Sequence, residues 1–190
     1  MQTERVEFWQ RVQAFLVQDL IFIDESGVDL ALTRLRARAA KGQRAQGKRP
    51  SKRGKRVSMI SAISLKEVIA HLNLMGSTDG LTFEAFISQK LVPQLWKGAC
   101  VIVDNCSIHH GEQVRALIEQ AGAKLLFLPP YSPDFSPIEN CFSKIKSILR
   151  SIGARSYSAL VKAIDEAFSQ VSSDDLNNWF THCCYCASPA

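Results

Sequence analysis

No run of 18 apolar residues occurs in this 190-residue chain, so nothing in it is expected to span a bilayer. The opening stretch MQTERVEFWQRVQ lacks the apolar core of an export signal and carries Glu4, Arg5, Glu7 and Arg11 instead. Export is therefore not expected, and a reducing cytoplasmic location would keep the six cysteines as thiols. No second CxxC exists to complete a four-ligand zinc site with Cys183 and Cys186, and His182 could add only one ligand. Buried or fortuitous thiols are the expectation, with Cys100, Cys106 and Cys141 in or beside core elements. Trp96, Trp179 and the phenylalanines are read as core. There is no internal repeat. Acidic residues, finally, are missing altogether between Arg34 and Arg56.

That last absence shapes the charge of the whole chain. The segment holds eleven basic residues: Arg34, Arg36, Arg38, Lys41, Arg44, Lys48, Arg49, Lys52, Arg53, Lys55 and Arg56. Removing them from the chain's 23 leaves 12 basic residues against 18 acidic ones, so the net charge of +5 belongs to this one segment. Eleven like charges repel unless something compensates them, and a polyanion such as DNA or RNA is the natural partner. The plain alternative is a solvated loop that aids solubility. Gly42, Gly47, Pro50 and Gly54 break any regular element there.

The rest of the chain reads as one α/β domain of sufficient length to bury a sizeable core. Residues 4–17 place Val6, Trp9, Val12 and Phe15/Leu16 near helical spacing. DLIFIDESG suggests a strand of about five residues stopped by Ser26-Gly27. Residues 57–64 and 67–75 suggest a hairpin, and 82–92 a helix ended by Pro93. Residues 99–105 form an apolar strand ending in Asp104, 111–122 a helix stopping at Gly122, and 124–128 another strand. Helices are expected over about 137–150, 158–171 and 174–181. The order βββαβαβ followed by helices predicts a mixed five-stranded sheet flanked by helices, antiparallel early and parallel later.

In such sheets a site forms beyond the carboxyl ends of parallel strands. Asp24 and Asp104 end the first and fourth predicted strands, so if these strands are parallel neighbours the two carboxylates converge. Read singly, each is as readily a turn or capping residue. Together, convergent carboxylates stay ionised cheaply only near a cation, and oxygen ligands suit Mg²⁺ or Mn²⁺. Two such ions can activate a water or 3′-hydroxyl at a phosphodiester and stabilise the leaving oxygen. Four of the seven prolines fall within residues 129–137, immediately before Glu139. Ser136-Pro137-Ile138-Glu139 also fits a helix capping box, a role that would compete with metal binding for the same carboxylate.

The segments FIDESG, VIVDNCSIHH and LPPYSPDFSPIEN resemble the three catalytic segments of DDE transposases of the mariner superfamily, in its bacterial insertion-sequence branch. Thirty-four residues separate Asp104 from Glu139, a spacing characteristic of that superfamily. The resemblance runs from about Leu20 to Arg150 and more faintly to FTHCCYC. It implies a ribonuclease-H-like fold, with Asp24, Asp104 and Glu139 holding two Mg²⁺ (or Mn²⁺) ions for hydrolysis at transposon ends and strand transfer into target DNA. It further implies a homodimer in the synaptic complex and a TA target.

Residues 1–18 are then an N-terminal helix and linker, 19–150 the catalytic domain with the basic segment 34–56, and 151–190 helices completing it. The resemblance implies helix-turn-helix modules upstream, and 18 residues are too few for one, so the chain is expected to be a catalytic half: a separately encoded frame with a helix-turn-helix half as its partner, a truncated copy, or an excised domain. Arg34, Arg36, Arg38, Lys48, Arg49, Lys52, Arg53, Lys55 and Arg56 would contact the DNA backbone. Alternation sends Glu25 to the face opposite Asp24, which leaves it out of the metal set. Asp134 is read as a turn residue. Asn105 and His109 could approach DNA or orient a ligand, and His109 is equally a packed or capping histidine. His110 stands where the branch often has lysine, which removes a phosphate contact. The rival readings are a non-catalytic DNA-binding remnant and a stand-alone ribonuclease-H-like nuclease.

Overall fold

Leu20–Ile23 and Cys100–Val103 are buried on both faces, which is why each reads as an unbroken apolar run rather than an alternating one. They belong to the two central strands of a sheet that the computed structural model describes together with the remainder of residues 2–34, 36–48 and 50–186. Its strands are β1 (Leu20–Val28), β2 (Val57–Ile63), β3 (Val68–Met75), β4 (Cys100–Val103) and β5 (Lys124–Phe127). Their spatial order is β3-β2-β1-β4-β5. β1, β2 and β3 form an antiparallel meander, while β4 lies parallel to β1, and β5 parallel to β4. The mixed five-stranded sheet read from the element order is the one that forms.

Helices cover both faces. α1 (Gln2–Val12), α4 (Pro137–Ile152), α5 (Tyr157–Ser169) and α6 (Ser173–His182) pack on the face to which Leu20 and Phe22 point. α2 (Gly80–Phe86) and α3 (Glu112–Gln120) cover the other, with Ile21 and Ile23. The long α4 supplies Ile138, Cys141, Phe142, Ile145 and Leu149 to the first core, all at helical spacing. Phe22 meets Phe180 edge to face at 5.4 Å, so the central strand and the last helix share one packed layer. Cys100, Cys141 and Cys183 are buried within this core. Trp96 and Trp179 pack against the cores only in part, and the Trp96 indole N–H donates to Asp19 at 2.9 Å.

Three sequence expectations need correction. β1 does not stop at Ser26-Gly27 but runs to Val28, because Ser26, Gly27 and Val28 register against Met59, Ser58 and Val57 of β2. Gly27 serves close approach instead of a stop: a Cβ there would lie 1.8 Å from Nε of Arg56, whose side chain crosses the strand. The helix expected over 82–92 changes winding midway, from α2 into a π turn at Ile87–Leu91 and a 3-10 turn at Val92–Gln94. Pro93 has no N–H to return to the preceding turn, so the regular ladder cannot run through it. α1 ends at Val12 rather than near residue 17, and Leu16 beyond it is exposed. α3, by contrast, closes where expected, with Gly122 at φ +80°.

Candidate active site

Parallel pairing of β1 with β4 places two carboxylates side by side. Ile23 registers with Val103, and the next residue on each strand is Asp24 and Asp104. Both line a cavity of about 520 Å³ beyond the strand ends, together with Glu139 and residues of the loop 128–136. The convergence expected of the two aspartates is present, and Glu139 enters the same cavity from the first turn of α4.

The two aspartates sit in opposite electrostatic environments. Burial, followed by repulsion from Glu139, Glu25 and Asp104, pushes the Asp24 carboxyl up to about 7, although the Glu25 N–H donates to its Oδ1 at 2.7 Å. Asp104 is held below the ordinary carboxylate range, chiefly by its hydrogen bond to His109 and also by the Cys106 N–H at 2.9 Å. His109 is fully buried, with Nδ1 2.6 Å from Asp104 Oδ1 and Nε2 2.9 Å from Glu25 Oε1. Burial alone would lower its pKa, but the two carboxylates overcome this and raise it to about 10. His109 is a packed histidine, 4.3 Å from Phe83, and it also bonds a carboxylate at each ring nitrogen. Glu25 does lie on the face opposite Asp24, and there it becomes the second partner of this histidine. Alternation gave its direction; nothing local in the sequence signalled its partner, which comes from the 3-10 turn Ser107–His109. Asn105 lines the cavity, and its Oδ1 accepts from His110 Nε2 at 2.7 Å. His110 also stacks on Phe127 at 4.3 Å.

The capping box expected around Glu139 does not form. Ser136 is the N-cap residue with φ −113° and ψ 94°, and its side chain makes no capping hydrogen bond. The box geometry occurs instead at α6, where Ser172 and Asp175 exchange both bonds. Glu139 is exposed toward the cavity. The proline loop leading to it is held from outside. Arg5 of α1 donates to Ser132 Oγ at 2.9 Å, pairs with Asp134 at 2.5 Å and lies 3.9 Å over the Phe135 ring. The Tyr185 hydroxyl donates to the Phe135 carbonyl at 2.8 Å. Asp134 thus does more than make a turn: it anchors the loop to the N-terminal helix. Tyr131, at the cavity rim, has φ 54° and is 91% exposed.

The basic segment has a different character. Every described residue from Arg34 to Arg56 is exposed except Pro50, and none lies in a helix or strand. Arg49 falls outside the described residues. The root of the segment is pinned: Arg155 donates to the Leu30 and Leu32 carbonyls, and the Lys55 N–H to the Tyr157 hydroxyl. Arg34, Arg36 and Lys48 face Arg150 and Arg155 across an open groove.

No Lys or Arg lines the acid cavity among the described residues. An all-carboxylate donor set of this kind suits a hard divalent cation. In the present arrangement no three His, Cys, Asp or Glu side chains among the described residues close tightly enough to hold one ion. The donor chemistry fits such an ion.

A family described as DDE superfamily endonuclease matches residues 19–161. Among solved structures, the chain is similar to a Mos1 mariner paired end complex with Mn (TM-score 0.75, 19% identity, covering 94% of this chain and 56% of that one). It is also similar to the Mos1 strand transfer complex (TM-score 0.74, 19% identity, 94% and 56%). The catalytic domain of Mos1 mariner transposase matches with a TM-score of 0.67 at 16% identity, covering 94% of this chain and 84% of that one. These likenesses establish the ribonuclease-H-like fold, and the chain spans little over half the length of the longer Mos1 chains. No curated protein matches it in sequence.

Proposed function

The chain belongs to the DDE superfamily endonuclease family, and from that premise we propose that it is the catalytic domain of a DNA transposase of the mariner superfamily, in its bacterial insertion-sequence branch. The observation that carries this reading is the meeting of Asp24, midway along β1, with Asp104, just past the end of the parallel β4, and Glu139 in one cavity. The 34-residue interval between Asp104 and Glu139 and the DNA complexes of the Mos1 relatives support it.

In this reading Asp24, Asp104 and Glu139 hold two Mg²⁺ or Mn²⁺ ions. When bound, the ions would activate a water or a 3′-hydroxyl and stabilise the leaving oxygen of a phosphodiester. The chain's own residues do the positioning. β1 and β4 fix the first two acids by their pairing, and the stiff loop 129–137 delivers the third. The exposed arginines and lysines of 34–56 hold the DNA backbone, an interaction that weakens steeply with salt. Residues 1–18 form an N-terminal helix and linker, 19–150 the catalytic unit, and 151–190 helices that complete it. DNA ends, target DNA, a second copy of the chain and a separately encoded helix-turn-helix half are its partners, and it works in the bacterial cytoplasm.

An Mg²⁺- and Mn²⁺-dependent nicking and strand-transfer assay tests this, using DNA that carries the inverted repeats flanking the gene. Metal-dependent nicking followed by joining is expected, with neither in Asp104→Ala. Nicking that survives Asp104→Ala removes the site assignment. Cleavage without joining points to a stand-alone nuclease, and DNA binding without metal-dependent cleavage to a non-catalytic remnant.

A further inference from the structure

His109 has a carboxylate at each end of its ring, and the two come from different strands. Nδ1 meets Asp104 Oδ1 at 2.6 Å and the Asp104 carbonyl at 3.3 Å, while Nε2 meets Glu25 Oε1 at 2.9 Å. The ring has no solvent exposure and lies 4.3 Å from Phe83, so it has no room to swing away. The same Asp104 Oδ1 also accepts the Cys106 N–H at 2.9 Å. One oxygen of Asp104 is therefore fully occupied by protein donors, and among the described residues the other has no recorded hydrogen-bond partner. Asp24 has a single such donor, the Glu25 N–H. Glu25, which also lines the cavity, thus links both acids: its backbone N–H donates to Asp24, and its side chain reaches Asp104 through the imidazole.

We propose that Glu25 and His109 form a positioning device that locks the Asp104 side chain with one oxygen offered to a divalent cation and ties the middle of β1 to the segment following β4 at a fixed separation. This rests on the reading of Asp104 as a metal ligand. In this arrangement both act through Asp104. Partners of this kind, bonded behind a ligand, commonly govern metal affinity by about 10–100-fold when removed.

Mn²⁺ titration of the full chain, followed by electron paramagnetic resonance, tests the device alongside the melting temperature of each variant. His109→Ala is expected to weaken Mn²⁺ binding by about 10–100-fold. His109→Asn, whose amide N–H stands near the Nδ1 position, should recover most of this. His109→Gln, whose amide reaches toward the Nε2 position, should not. Glu25→Ala should fall between, about 3–10-fold weaker, since it removes only the brace. A folded His109→Ala with the wild-type Mn²⁺ affinity overturns the proposal, as does equal behaviour of the Asn and Gln variants. If His109→Ala does not fold, Glu25→Ala decides: unchanged affinity overturns the device, and weakened affinity at an unchanged melting temperature supports it. Wild-type protein that binds no Mn²⁺, or binding that survives Asp104→Ala, removes the metal-ligand reading itself and the device with it.

Discussion

The acid cavity and the basic segment carry opposite charge, and they are built on opposite principles. Around the cavity the charged groups are knitted across the fold: Asp104 is held by His109 five residues on, His109 by Glu25 from β1, and Asp134 by Arg5 of α1. Along 34–56 the charges stand in solvent on a chain without regular structure, pinned only at its root. Chemistry at a single phosphodiester requires atoms placed to fractions of an ångström, whereas affinity for a polyanion requires only charge density. The molecule spends its tertiary structure on the first and leaves the second to composition.

The largest expected effect separates the two regions outright. Asp104→Asn should lower metal-dependent cleavage by at least about 10³-fold while DNA affinity, measured by fluorescence anisotropy, stays within a few-fold of wild type. The mirror experiment replaces Arg34, Arg36, Arg38 and Lys48 together by Gln. Affinity should fall by about 10–100-fold at moderate salt, and the slope of log K against log salt should flatten by about 0.9 for each lost phosphate contact. Cleavage at saturating DNA should barely change. A smaller effect probes the loop that joins the cavity to its support: Arg5→Ala frees Ser132 and Asp134 and should slow cleavage about 3–10-fold through misplacement of Glu139. DNA affinity should not move.

The smallest effect is one of stability and has a definite sign. Asp24 is raised to about 7 in the folded protein, so between about pH 4 and 7 the folded state holds a proton that the unfolded state has released. Its contribution to stability therefore declines as pH rises through that window. Asp24→Asn should raise the melting temperature by about 2–6 °C at pH 8 and by little at pH 4. His109 runs in the usual direction for a histidine with partners: its contribution is complete below about pH 6.5 and is lost as pH approaches 10. Calorimetry across pH 4–10 on wild type and Asp24→Asn distinguishes the two.

How much of this was legible in the chain follows the same division. Strand runs, helix periods and the hairpin at 65–66 are local signals, and the sheet order followed from them with the connection rules. The convergence of Asp24 and Asp104 was legible because both follow apolar runs that such a topology makes parallel neighbours, although Asp24 stands midway along β1 and not at its end. The basic segment needed only counting. What escaped was interaction between distant positions. Ser26-Gly27 looked like a stop because the register with Met59 and Ser58 is not written in those two residues. Glu139 matched a capping box by spacing, but the Ser136 backbone and the docked proline loop leave that box unmade. Glu25 had a direction without a role until His109 arrived from another turn. Arg5, in a helix read only for its apolar side, gave no hint that it holds Asp134.

The clasp over the proline loop has a topological consequence. Trp9, near the start of the described chain, and Tyr185, near its end, bring their rings to 5.0 Å as both close around Phe135. The two ends can therefore be joined by a short linker, and the polymer reopened within residues 40–47, where the backbone is exposed and lies in no helix or strand. A circular permutant made in this way should retain the melting behaviour and the metal-dependent cleavage of the parent, with the new termini emerging in the basic segment. The order in which the chain is threaded would then be shown to matter less to the acid cavity than the closure of its two ends.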